Sequence, residues 1–215
     1  MENRAEKLLA DLEERLKYFS QIGMEFIIQE SPFLSLEQQI LKCRQCALAE
    51  TRQHVVPGEG NIKTDIMFVG EAPGRDEDVQ GRPFIGRAGQ LLTKIINAMK
   101  FQRNEVYITN IVKCRPPNNR NPHKEEMASC KNYLLRQIEL IHPKVIVTLG
   151  KVAASFFIQT NLGMTALRGD FYDFKGNKVM PTFHPSYLIR NEGNRILRKM
   201  VWEDMQKVMV FLGKK

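Results

Sequence analysis

Cys43 and Cys46 form a Cys-x2-Cys clip, and Cys114 and Cys130 complete the chain's set of four cysteines. Four thiolates can saturate one metal centre, either tetrahedral zinc or a 4Fe-4S cluster. A close Cys-x2-Cys pair without a secretory context is a metal signature rather than half of a disulfide framework. Four unrelated buried thiols are the alternative. The third cysteine closes the run Thr109-Asn110-Ile111-Val112-Lys113-Cys114, so a metal centre there would pin a polar segment of a kind that carries chemistry.

Three further polar signatures each follow an apolar run. Gly70-Glu71-Ala72-Pro73-Gly74 follows Ile66-Met67-Phe68-Val69, Asn110 ends Val106-Tyr107-Ile108, and His184-Pro185-Ser186 follows the stretch Val179 to Phe183. If those runs are parallel strands, Glu71, Asn110 and His184 converge outside their carboxyl ends, where open α/β sheets bind ligands. Taken singly, each has a plain structural reading as a turn or a satisfied loop residue. Their shared placement makes them a candidate site. Gly81-Arg82-Pro83-Phe84-Ile85-Gly86-Arg87-Ala88-Gly89 precedes a helix, and its aromatic, Phe84, is a candidate stacking platform for a planar ligand. The stretch contains neither a phosphate-binding Gly-Lys-Ser/Thr nor a dinucleotide fingerprint.

The elements that must position these groups alternate. Continuous apolar runs at 66–69, 106–108, 145–149 and 179–183 suit strands buried on both faces. Helical periodicity marks 2–18, 35–42, 88–99, 150–157 and 194–212. It also marks a helix opened by Asn121-Pro122, with Asn as the cap and Cys130 on the inner stripe. This pattern predicts an α/β fold with a parallel sheet covered by helices on both faces. Residues 1–33 read as a helical extension and 34–215 as the main domain. The extension either packs on the domain or offers a surface to a repair or replication partner.

A formal charge of +8 suggests a polyanionic partner, most simply nucleic acid. The charged opening Met1-Glu2-Asn3-Arg4 does not read as a signal peptide, and no run approaches the roughly 18 apolar residues of a membrane span. A cytoplasmic monomer with no membrane association is the expectation.

The ordered set of motifs, Gly70-Glu71-Ala72-Pro73-Gly74-Arg75-Asp76-Glu77-Asp78, Gly81 to Gly86, Thr109 to Pro122 and His184-Pro185-Ser186, together with the four cysteines, closely resembles the family 4 uracil-DNA glycosylases. The resemblance covers about residues 36–212. It implies a three-layer α/β/α sandwich around a four-stranded parallel sheet, and hydrolysis of the N-glycosidic bond of deoxyuridine in double- or single-stranded DNA. It also favours a structural 4Fe-4S cluster over zinc at Cys43, Cys46, Cys114 and Cys130.

The resemblance implies roles for individual residues. Phe84 stacks on uracil, Asn110 reads its edge, and His184 donates to the oxygen on which charge develops. Gly70 and Ala72 belong to the base pocket. Leu188 is the wedge that replaces the flipped base, and Arg115, Arg120, Ser186 and Arg190 meet the DNA. Ala72 stands where other superfamily members carry a water-positioning Asp or Asn, so Glu71 is the first candidate for that task, ahead of Glu77 and Asp78. Gly74 stands where others place a Tyr that excludes thymine. A non-catalytic or trapping uracil-DNA binder on the same fold is the alternative, although the 81–89 stretch contains no reactive histidine.

Overall fold

Ile66, Phe68, Ile108, Val147 and Met180 alternate along the chain with Met67, Val69, Tyr107, Ile146 and Val179, and both sets are buried. A strand whose successive side chains point to opposite faces can bury both sets only inside a sheet covered on each side. The computed structural model describes residues 2–22 and 31–214 and shows that sheet. The helices are α1 (Glu2–Gln21), α2 (Pro32–Leu41), α3 (Leu48–Thr51), α4 (Arg75–Gln80), α5 (Arg87–Ala98), α6 (Lys124–Ile141), α7 (Lys151–Phe157), α8 (Met164–Leu167), α9 (Pro185–Arg190) and α10 (Arg195–Phe211). The strands are β1 (Glu59–Gly60), β2 (Ile66–Gly70), β3 (Tyr107–Asn110), β4 (Val145–Leu149), β5 (Tyr172–Phe174) and β6 (Asn177–Thr182).

The spatial order is β1-β3-β2-β4-β6-β5. The inner four strands are parallel, as the apolar runs predict. Two short antiparallel strands, β1 beside β3 and β5 beside β6, extend the sheet to six. They escape sequence reading because they are only two and three residues long and half-exposed. One face of the sheet packs on α5 and α10 through Leu92, Ile96, Val201, Met205 and Val208. The other packs on α6 and α7 through Leu134, Ile138, Ile141, Ala153 and Phe157. Register aligns the strand ends: Gly70 lies opposite Asn110, and Leu149 opposite Thr182.

The chain divides into two compact units, Met1–Ser31 and Pro32–Lys215. The first contains α1, and residues 23–30 lie outside the described ones. Two segments near the strand ends differ from the sequence reading. The helix after the Pro/Asn-rich loop starts at Lys124 with His123 as its N-cap, rather than at Asn121, and Glu126 accepts a hydrogen bond from the His123 N–H at 2.7 Å. The segment after His184 is a short helix rather than a loop. No described helix is long and apolar enough to cross a membrane.

A buried polar tie fixes the end of β6. Asp204 on α10 is fully buried and accepts from Thr182 Oγ1 at 2.6 Å, from Arg168 Nε at 3.0 Å and from Arg168 Nη2. Removing this carboxylate would strand a largely buried guanidinium, a change that costs about 3–5 kcal/mol. Asp204→Ala is therefore expected to lower the free energy of unfolding by that amount and to shift the denaturation midpoint down accordingly. Thr182→Val, which removes one hydrogen bond, is expected to cost about 1 kcal/mol, and chemical denaturation of both variants checks the ranking.

Candidate active site

Glu71, Asn110 and His184 do converge. They share one cleft of 720 Å³ at the carboxyl ends of the parallel strands, within the range of about 300–1,000 Å³ typical of ligand sites. Phe84, Gly74, Ala72 and Glu77 also line it. The glycine-rich loop reaches this place through Glu77, which sequence reading leaves as a lesser candidate for water activation. Its carboxylate accepts from Gly74 N at 3.1 Å, Ile85 N at 2.9 Å and Gly86 N at 3.0 Å. Glu77 is thus a clamp between two loops. Its place at the third position of α4, after Gly74, is the capping pattern that could have revealed it. Asp78 is likewise occupied, accepting from Gln53 N and His54 N.

The clamp and the glycines shape the cavity wall. Phe84 is held in a left-handed conformation at φ 50°, a strained state for an aromatic residue. Its ring centroid lies 5.8 Å from that of His184, at an interplanar angle of 35°. A Cβ on Gly70 would collide with Asn110 Oδ1 and the Phe84 ring, so only glycine leaves both groups in place. A Cβ on Gly74 would lie 2.7 Å from Glu77 Oε2. Glycine at 74 thus leaves the clamp undisturbed, whereas a larger residue would push the Glu77 carboxylate aside.

Asn110 is 1% exposed, and its Oδ1 is buried without a hydrogen-bond partner among the described residues. Orphaned buried acceptors are rare and costly, and one on a cavity wall is satisfied by what enters the cavity. The backbone behind Asn110 is rigid. Lys113 Nζ donates to Asn110 O at 2.7 Å, Thr109 Oγ1 at 2.6 Å and Gln137 Oε1 at 2.7 Å. Glu71 has no side-chain hydrogen-bond partner among the described residues, and burial raises its pKa above the usual carboxylate value. Such a group is free to hold a water molecule.

His184 lines the same cleft. Its Nδ1 accepts the Ser186 backbone N–H at 3.1 Å and lies 2.7 Å from Ser186 Oγ. Burial, aided by the nearby Arg190 charge, pushes its pKa down to about 4. The neutral ring therefore has Nδ1 as acceptor and carries its proton on Nε2.

The uracil DNA glycosylase superfamily model matches residues 57–206. A type-4 uracil-DNA glycosylase from Thermotoga maritima is 51% identical over 181 residues, covering 83% of this chain and 94% of the relative. One from Saccharolobus solfataricus is 45% identical over 189 residues, 84% of this chain and 86% of the relative. One from Archaeoglobus fulgidus is 44% identical over 186 residues, 83% of this chain and 92% of the relative. The chain belongs to the type-4 uracil-DNA glycosylase family.

Against the expectations that this family membership brings, the outer residues divide. Leu188 is 3% exposed and lies in the core cluster that also holds Leu92, Ile96 and Val201. Serving as a wedge would require extracting it, at a cost of about 1.5–3 kcal/mol of lost burial. Motif position places Leu188 in the right helix, but the phase of α9 turns it inward. Arg120 lines the cavity, yet its guanidinium makes a two-point pair with Glu126, Nη1 to Oε2 at 2.9 Å and Nη2 to Oε1 at 2.7 Å, which ties the loop to α6. Arg115 is held by Asn119 Oδ1 at 2.8 Å. The Ser186 hydroxyl faces His184, while Arg190 remains exposed at the rim.

The four cysteines also share a neighbourhood in this family member. Cys114 and Cys130 are buried, Cys43 and Cys46 are half-buried, and all four thiols are free. Burial pushes the Cys114 thiol up to about 11, against the pull of Arg52, and Cys130 and Cys46 push it further. Burial likewise raises Cys130, against Lys113, with Cys46 and Cys43 adding to the rise. Arg52 donates to Cys114 Sγ at 3.0 Å and to Cys43 O at 2.6 Å. No three His, Cys, Asp or Glu side chains among the described residues converge closely enough for one metal ion. Four thiolates in one neighbourhood are a donor set that either zinc or a 4Fe-4S cluster accepts.

The lowered pKa of His184 fixes the sign of one pH effect. Between the folded value of about 4 and an unfolded value of about 6.5, the unfolded chain binds more protons at this site. Its stabilising contribution is therefore complete above the unfolded value and is lost as pH falls through the folded one. Nitrogen-15 NMR of the imidazole is expected to report a neutral ring protonated at Nε2 from about pH 8 down to about pH 5. A titration midpoint near the unperturbed value would contradict it.

Proposed function

We propose that this protein is a monofunctional DNA glycosylase that hydrolyses the N-glycosidic bond of deoxyuridine in DNA, releasing uracil and leaving an abasic site as the first step of base excision repair. The observation that carries this reading is the orphaned Oδ1 of Asn110, buried on the cavity wall with Phe84 and His184 beside it. The type-4 relatives are named for the same substrate.

The target nucleotide leaves the stack to reach the cavity. Its uracil ring stacks on Phe84. Asn110 accepts from N3–H through Oδ1 and donates to O4 through its amide nitrogen. Cytosine presents the reversed pair, and each buried group left unpaired costs about 1–3 kcal/mol. As the C1′–N1 bond breaks, the electron pair moves onto the base and negative charge gathers at O2. The neutral His184 donates Nε2–H there, and losing such a donor costs about 10²–10³ in rate. Glu71 holds the water that attacks the cationic sugar at C1′; that water's proton passes to solvent or to Glu71.

Cys43, Cys46, Cys114 and Cys130 are assigned to a 4Fe-4S cluster, with zinc as the alternative. When bound, the cluster supplies cross-linking: it clips the turn after α2 to the segment after β3 and to α6. Arg52 and Lys113 are cations placed to balance its negative thiolates. They support the assignment, as does the spacing of the thiols.

The test is incubation with an oligonucleotide containing one uracil, followed by alkaline cleavage at abasic sites. Strand scission is expected with uracil and not with thymine, and both His184→Ala and Asn110→Ala are expected to lose about 10²-fold or more in single-turnover rate. Absence of scission by the purified protein with its metal centre intact would remove the glycosylase reading. Iron and acid-labile sulfide, with a broad visible absorption, are expected in that preparation. Stoichiometric zinc without sulfide would reassign the centre. Cys114→Ala is expected to lower thermal stability and DNA affinity before it changes the bond-breaking step.

A further inference from the structure

Tyr187 is the large, partly apolar side chain that is both exposed, at 39%, and on the wall of the uracil cavity; the other exposed large apolar residues described lie elsewhere. Its ring stacks on Phe183, with centroids 5.4 Å apart and planes 25° from parallel, and Phe183 is itself buried. The outward ring is thus a flat surface held at a fixed angle by a core residue. Arg190, Lys151 and Arg120 line the same cleft. A planar, partly apolar face beside cations suits a polyanion that carries stacked rings, which is a nucleic-acid strand. Leu188, the next residue in α9, is packed in the core and cannot reach such a strand without local unfolding.

We infer that Tyr187 is the side chain that enters the base stack beside the extruded deoxyuridine, covering the face of the neighbouring base and holding the gap open. This rests on the reading of the cavity as a uracil site. The role matters in duplex DNA, where opening the stack has a cost, and much less in a single strand. Preorganisation on Phe183 reduces the entropy lost when the ring is ordered against DNA.

The experiment compares wild type, Tyr187→Ala, Tyr187→Phe and Leu188→Ala on one uracil-containing sequence, as a duplex and as a single strand. It is repeated with 2-aminopurine next to the uracil as a fluorescent report of unstacking. Tyr187→Ala is expected to lower kcat/KM on the duplex by about tenfold more than on the single strand, and to abolish the 2-aminopurine rise. Tyr187→Phe keeps the wild-type ratio. Leu188→Ala lowers the melting temperature and affects both substrates alike. If Tyr187→Ala does not fold, Tyr187→Ser is read by the same ratio. Equal losses on both substrates, or a duplex-selective defect in Leu188→Ala instead, would overturn the assignment. Wild type that releases uracil from neither substrate overturns the glycosylase reading itself; an active wild type whose ratio is unmoved in the Tyr187 variants overturns only the role of Tyr187.

Discussion

The ammonium of Lys113 is fully buried, and no carboxylate among the described residues pairs with it. Each of its three protons has an acceptor: Thr109 Oγ1, the Asn110 carbonyl and Gln137 Oε1. Gln137 in turn donates to Pro57 O at 2.9 Å and to the Tyr107 hydroxyl at 3.1 Å. One side chain therefore joins the end of β3, the middle of α6 and the loop ahead of β1. Burial lowers its pKa to about 7, while Cys130 and Cys114 oppose that shift. A buried cation is tolerable when its donors are satisfied and negative groups lie near. Cys130 and Cys114 lie near enough to favour its charged form, and the same ammonium holds the Asn110 carbonyl, so one residue links the cysteines to the cavity wall.

The second wall of the cavity is built from local strain and its compensation. Phe84 sits in a left-handed conformation, and neighbouring groups hold it there. Glu77 holds Ile85 and Gly86, and Arg103 Nη2 donates to the carbonyl of Pro83 while its Nε pairs with Glu59 at 2.9 Å. A Cβ on Gly89 would collide with the Phe84 backbone, so α5 can begin directly beneath the loop only with glycine there. The wall is fixed before a base arrives, which is the condition for binding energy to serve recognition rather than ordering.

The parallel sheet was legible because strands buried on both faces leave uninterrupted apolar runs, and the convergence of Glu71, Asn110 and His184 followed from strand polarity alone. Sequence order carries little information about helix phase, however. Leu188 and Tyr187 are adjacent, and only the packing of α9 against α5 decides which one is core. Nor does sequence reveal what a charge is already bound to. Glu77, Asp78 and Arg120 each looked available, and each is occupied by backbone donors or by Glu126. The start of α6 was misread for a related reason: Asn121-Pro122 is a good opening by type, but Glu126 captures the His123 N–H and sets the boundary later.

The same environment acts on Glu71 and His184 in opposite ways. Desolvation disfavours charge in both. In the role proposed for His184 this would be useful outright, since a neutral donor to developing negative charge gains strength as the bond breaks without attracting a counter-ion beforehand. For Glu71 it is a cost in the resting state, offset when a cationic sugar forms beside it. An unpaired, desolvated carboxylate is therefore stabilised more in the transition state than before it. In the proposed mechanism that difference is what catalysis requires: with Ala72 at the neighbouring position, the motif's own glutamate would supply both the charge and the acceptor.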